Sequence, residues 1–177
     1  MKLLTLKFLF LIIYLISSNT AYSSNELNIK NLIIHPKSKK IEDIEFKDVN
    51  NNVVNIKDHR NRLILINFWA TWCAPCLEEM PSLNKLQANK KFKTLKIFPI
   101  NVGRENLDKS INFFDKLKID NLNIYYDSTN KLPDKFSLRG LPTTILINKN
   151  GEEFGRMIGY IDFENENFIE WLKRFDN

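Results

Sequence analysis

The stretch "RLILINFWATWCAPC", residues 62 to 76, constrains this chain more than any other. From Leu63 to Ala70 the only polar residue is Asn67, so the run lacks the alternation of a strand with one wet face. It reads as a central strand buried on both sides, which needs cover above and below. The pattern that follows supplies that cover. A helix is expected over 74–88 with Met80, Leu83 and Leu86 inward, then a strand in "LKIFPINVG". An amphipathic helix in "NLDKSINFFDKLKI", with Ile111, Phe114 and Leu117 on one face, and a short strand in "NIYYD" come next. After "NKLPDKFSL", the stretch "TTILINKNGEEFGRMIGY" reads as two strands joined at Asn150-Gly151, a strong hairpin signal. A last amphipathic helix over 164–175 presents Phe168, Trp171 and Leu172. The order β-α-β-α-β makes the fold class α/β.

Residues 25–62 are polar and hairpin-like: "DIEFKDV" and "VVNIKDH" flank Asn50-Asn51-Asn52, a turn tolerant of positive φ. The N-terminus has a different character. Lys2 and Lys7 precede an apolar core from Phe8 to Ile16, and Ala21-Tyr22-Ser23 offers small residues where a signal peptidase reads. This is the layout of a secretory signal peptide over residues 1–23, shorter than the roughly 20 apolar residues of a membrane span. An uncleaved anchor, lengthened by Leu3, Leu4 and Leu6, is the alternative, and either form places the rest of the chain outside the cytoplasm. Residues 24–177 then form one domain, without internal repeats or linkers. Loss of Lys2 and Lys7 lowers the formal charge from +5 to +3, and the remaining lysines stand singly or in pairs such as Lys39-Lys40 and Lys90-Lys91. That scatter is a solvated surface and excludes a nucleic-acid footprint.

The only cysteines are Cys73 and Cys76. A zinc site would need four ligands, and the histidines available, His35 and His59, lie in the polar N-terminal region without paired spacing. A purely structural disulfide would close a loop of about four residues and remove little unfolded-state entropy. A redox pair fits better, because the motif sits at a strand-to-helix junction. Cys73 would be the N-cap, partly exposed, its thiolate favoured by free N–H groups and the helix dipole, and so the attacking nucleophile. Cys76, one turn inside on the same face, would resolve the mixed disulfide. Pro75 has a fixed φ suited to the first helical turn.

"NFWATWCAPC", Pro81 and "GLPTTILI" resemble the thioredoxin superfamily; "WATWCAPCLEEMP" with "RGLPTT" and "NKNG" is similar to its exported TlpA/ResA/CcmG-like branch. The resemblance covers roughly residues 41–175. It implies a central mixed sheet flanked by helices, with an N-terminal β-hairpin extension and an inserted βα unit. It also implies a cis peptide before Pro142 facing the cysteines, and a client chain pairing with the backbone of Leu141. Where cytoplasmic-type members carry a buried Asp, this chain has Asn67. The resemblance puts in place of that acid Glu79, a tuner of the thiols, although a solvated glutamate like Glu78 is the plainer reading. Trp69 and Trp72 are expected in the core and on the rim of the site, with Trp72, Ala74, Pro75 and Leu141 facing the client, and Pro81 kinking the helix.

What the resemblance implies is a thiol:disulfide oxidoreductase acting on client proteins with cysteine pairs. It needs no cofactor beyond the redox-active Cys73–Cys76 disulfide, binds no metal and acts as a monomer. Pro75 directly before the second cysteine is linked with reducing members, which would draw electrons from a membrane donor of the DsbD or CcdA type. Clients would include apocytochrome c during cytochrome c maturation and copper-site assembly proteins of respiratory oxidase. The rival readings are a copper-delivery module on the same fold and a general disulfide oxidase or isomerase. Copper chaperones of the Sco type carry CxxxC and a late histidine, and this chain has neither; peroxidases carry a PxxxTxxC pattern that is also missing.

Overall fold

A computed structural model describes residues 29–176; the signal segment expected at residues 1–23 lies outside the described residues. The strands are β1 (Leu32–Lys40), β2 (Glu45–Asp48), β3 (Val53–Asn55), β4 (Ile64–Trp69), β5 (Lys96–Asn101), β6 (Tyr125–Tyr126), β7 (Thr143–Ile147) and β8 (Glu152–Ile158). The helices are α1 (Ala74–Gln87), α2 (Leu107–Leu117), α3 (Leu132–Lys135) and α4 (Glu166–Lys173), with a 3₁₀ turn at Ile56–His59. All eight strands join one mixed sheet in the order β1-β8-β7-β4-β5-β6-β2-β3. No helix among the described residues is long and apolar enough to cross a membrane.

β4 lies between β5, to which it runs parallel, and β7, to which it runs antiparallel, with Asn67 opposite Pro99 on one side and Thr144 on the other. Its six residues are all buried. They divide by strand alternation: Leu65 and Trp69 enter one core with α1, α2 and α4, while Ile64, Ile66 and Phe68 enter the other with Ile44, Phe46 and Phe136. Each such apolar side chain contributes roughly 1.5–3 kcal/mol, whereas burying the Asn67 amide costs about 1–3 kcal/mol unless its hydrogen bonds are made. Asn67 must therefore find partners on the α1 side. Pro99 is tolerated inside the sheet because β6 is so short: it pairs only with Ile100 and Asn101, so the ladder on that side stops before the residue lacking an N–H.

The expected hairpin is present as β2 and β3, paired antiparallel around the asparagine turn, where Asn51 has φ of 64° and Asp48 accepts the N–H groups of Asn50 and Asn52. The second hairpin, β7 to β8, turns at Gly151 with φ of 78°. β6 and the short α3 follow α2 and precede β7.

Three details differ from expectation. "VVNIKDH" ends in the 3₁₀ turn, since Asn55 caps it by accepting the Lys57 N–H. Helix α2 buries Phe113 and Phe114 and leaves Ile111 37% exposed, because the Trp69 ring from β4 packs on those two phenylalanines at centroid distances of 4.7 and 5.5 Å. Finally, β1 was not foreseen: it is an edge strand antiparallel to β8, with a register break between Ile34 and Lys39.

Candidate active site

The turn after β4 delivers the cysteines to the N-terminus of α1. Cys73 is the N-cap, in extended conformation at φ −87° and ψ 100°, and its carbonyl takes the first helical N–H groups, from Cys76 and Leu77. Cys73 Sγ also accepts the Cys76 N–H at 3.3 Å and is bonded to Cys76 Sγ. Cys73 is 5% exposed and Cys76 fully buried, so the first cysteine is more enclosed than the sequence suggested, its sulfur being turned inward by the cap and the disulfide. Beside it the Trp72 ring is 67% exposed and Ala74 is exposed, while Trp69 is wholly buried in the core. Pro75 occupies the first turn, where its missing N–H is not needed; Pro81, farther along α1, has no N–H for the Leu77 carbonyl.

Behind the disulfide, Glu79 is completely buried. It lies three residues after Cys76, on the same helical face. Asn67 Nδ2 donates to Glu79 Oε1 at 2.8 Å and to Thr144 Oγ1 at 2.9 Å, and the Ile161 N–H donates to Glu79 Oε2 at 3.3 Å. These are the partners Asn67 required, although its Oδ1 has none among the described residues. Burial pushes the Glu79 carboxyl up to about 8, and the hydrogen bonds from Asn67 and Ile161 oppose that rise without cancelling it. The plainer reading of Glu79 as a solvated surface acid is thereby excluded.

The Leu141–Pro142 peptide is cis. Because β7 runs antiparallel to β4 with Thr143 opposite Phe68, this bond falls at the same sheet end as the cysteine turn. Pro142 is buried, its carbonyl accepting the Gly159 N–H at 2.8 Å, and Leu141 is partly buried against both cores. The loop after β8 thus touches both Pro142, through Gly159, and Glu79, through Ile161. Ser82 of α1 pins the same loop, accepting the Phe163 N–H at 3.2 Å.

A further anchor of the cysteine turn has no signal in the sequence. Glu105, in the β5–α2 loop, accepts the Thr71 N–H at 2.9 Å and also the Thr71 hydroxyl. Asn101 Nδ2 steadies the same carboxylate at 3.4 Å. The two histidines once eligible as metal ligands are occupied elsewhere: His35 Nε2 lies 2.7 Å from Glu153 Oε1, and His59 packs edge-on against Phe98. No cluster of three or more potential metal ligands exists among the described residues.

The Redoxin family pattern matches residues 36–165 of this chain. The thiol-disulfide oxidoreductase ResA of Geobacillus kaustophilus is 34% identical over 132 residues, which cover 74% of this chain and 75% of that protein. ResA of Bacillus subtilis is 29% identical over 106 residues, 60% of this chain and 58% of its own length. Among solved structures, a Chlorobium tepidum protein described as a thiol:disulfide interchange protein DsbE superposes with a TM-score of 0.67 at 25% identity, covering 77% of this chain and 97% of that one. StoA from Bacillus subtilis, at 23% identity and a TM-score of 0.62 over 77% of this chain and 97% of its own, shares the fold. Family pattern, sequence relatives and architecture agree: the chain belongs to the Redoxin family, as a thioredoxin-fold thiol-disulfide oxidoreductase of the kind that includes ResA.

Proposed function

We propose that the protein works outside the cytoplasm as a reductant of disulfides in client proteins, with Cys73 the attacking and Cys76 the resolving thiol. The observation that carries this reading is the placement of the pair: Cys73 caps α1 and accepts a helix N–H, while Cys76 is enclosed beside an acid held at the border of ionisation. In the dithiol form, the Cys73 thiolate attacks one sulfur of the client disulfide and expels the other as a thiolate. Cys76 then attacks Cys73 Sγ, releasing the second client thiolate. Two electrons pass to the client, and the protein is left as the Cys73–Cys76 disulfide. The Glu79 carboxylate takes the proton that Cys76 loses, which agrees with a carboxyl that stays protonated in the disulfide form until about pH 8. On re-reduction that proton returns to the departing Cys76 sulfur.

The reducing direction is supported by Pro75, which stands directly before the second cysteine, and Asn67 and Glu79 add no positive charge to stabilise a thiolate. The potential should lie near the roughly −270 mV of thioredoxin and well below the roughly −120 mV of DsbA. Export follows from the signal-like residues 1–23, and a reductant there requires a membrane electron donor of the DsbD or CcdA type. Trp72, Ala74, Pro75 and the backbone of Leu141 would receive the client chain around its cysteine; apocytochrome c and copper-site assembly proteins are the clients this reading favours. The test is dithiothreitol-driven reduction of insulin. Wild type should catalyse it, Cys73→Ser should not, and Cys76→Ser should accumulate mixed disulfides. Equal rates for all three would overturn the roles, and a potential above roughly −180 mV in glutathione buffers would overturn the direction.

A further inference from the structure

We infer that a basic cleft next to the Leu141–Pro142 loop docks an acidic segment of the client protein, as a second contact beyond the cysteines. The inference rests on the reading that clients are proteins whose disulfides exchange at Cys73. The cleft, about 680 Å³, opens between β1, β8 and the segment joining α3 to β7. Five cationic side chains line it, Lys39, Lys40, Lys135, Arg139 and Arg156, against the two carboxylates of Glu42 and Glu153.

The acids do not neutralise the mouth. Glu153 is 4% exposed and bound inward. Arg156 donates Nε to its Oε1 at 2.7 Å and a terminal N–H to its Oε2 at 3.0 Å, and His35 Nε2 lies 2.7 Å from Oε1. The other Arg156 terminal nitrogen donates to the Phe136 carbonyl at 3.0 Å, so this floor is fixed and its charges are matched. Burial alone would raise the Glu153 carboxyl, but the bonds from Arg156 and His35 outweigh it and hold the group below its usual range, keeping it ionised. Glu42 has an 89% exposed side chain and stands 3.8 Å from Lys135, which also reaches the Asp43 carbonyl. Lys39, Lys40 and Arg139 form no ion pair or side-chain hydrogen bond among the described residues, even though Lys40 lies opposite Glu152 in the β1–β8 register.

Three unmatched cations around one concavity favour an anion, and the volume suits a few side chains of a peptide. Position argues for the client as its source. Arg139 and Thr143, both in the lining, bracket the Leu141–Pro142 bond, so a chain laid along Leu141 has the cleft beside it.

The test uses three peptides of equal length, each with one disulfide, flanked by Asp and Glu, by Ser and Gly, or by Lys. Reduction by the full chain is followed at low and high sodium chloride. Exposed pairs of this kind change kcat/KM for the acidic over the neutral peptide by about fivefold at low salt, an advantage that salt should erase. The Lys39→Glu, Arg139→Glu double variant should lose that advantage and still turn over the neutral peptide at the wild-type rate. Equal kcat/KM for all three peptides, or an acidic preference that survives in the double variant, would overturn the inference while leaving the oxidoreductase reading intact. Binding of phosphatidylglycerol vesicles that the double variant abolishes, without any peptide preference, would assign the cleft to a lipid surface and overturn it too. Failure to reduce any of the peptides would overturn the proposed function, and this inference with it.

Discussion

Replacing Glu79 by Gln removes a buried proton whose effect on stability can be worked from the structure. The native carboxyl holds its proton to about pH 8, whereas the unfolded chain releases it near 4.5. Between those values the native state binds one proton more than the unfolded state. The contribution is therefore fully present below the unfolded value and is lost as pH rises through the native one. At about 1.4 kcal/mol per pH unit, the gap amounts to roughly 5 kcal/mol, of which about 4 kcal/mol falls between pH 5 and pH 8. Gln cannot ionise, so its stability should not fall over this range. It would also turn an amide N–H₂ toward the Ile161 N–H, a clash of donors costing about 1–3 kcal/mol at every pH. The slope, not the offset, is thus the informative quantity. Urea unfolding of wild type and Glu79→Gln, both kept in the disulfide form so that no thiol titrates, should give a difference in unfolding free energy that shifts by about 4 kcal/mol in favour of the variant from pH 5 to pH 8. Parallel curves for the two proteins would refute the assignment of a raised carboxyl to Glu79.

Two other changes test the frame around the site. A Cβ at Gly155 would stand 2.9 Å from the Ile33 carbonyl oxygen across the β1–β8 pair, so Gly155→Ala should push β1 off the sheet at a cost of about 1–3 kcal/mol, with faster amide exchange along β1 as the readout. Glu105→Ala should strand the Thr71 N–H and free the turn before Cys73, lowering stability by about 1–3 kcal/mol and slowing insulin reduction; unchanged values for both would show that the Glu105 bonds carry no weight.

The sequence is most legible where apolar pattern and packing coincide. β4 shows itself as an apolar run because both its faces are covered, by α1, α2 and α4 on one side and by Ile44, Phe46, Leu132 and Phe136 on the other, and α1 through the spacing of Met80, Leu83 and Leu86, all buried. β1 stays hidden for the opposite reason. With a partner on one side only, its burial runs in steps of three instead of alternating, and Pro36 with three lysines gives it the look of a loop. The misjudged face of α2 has a similar origin: Ile111 and Phe113 are equally apolar, and only the position of the Trp69 ring decides which is covered. In the site, the placement of Cys73 as N-cap and of Cys76 one turn inside follows from local helix geometry, which a sequence carries. The burial of Glu79 depends on Asn67 and Ile161, far apart in the chain, and the hold of Glu105 on Thr71 joins two loops whose meeting no spacing announces.

The two ends of the sheet bear on whether copies of this protein can pair edge to edge. An open strand edge is a template for pairing with another chain, and here each edge is blunted: β3 is three residues long, while β1 carries Pro36, Lys37, Lys39 and Lys40 and breaks register midway. Backbone-to-backbone growth between copies is disfavoured at both edges, by brevity on one side and by charge and proline on the other.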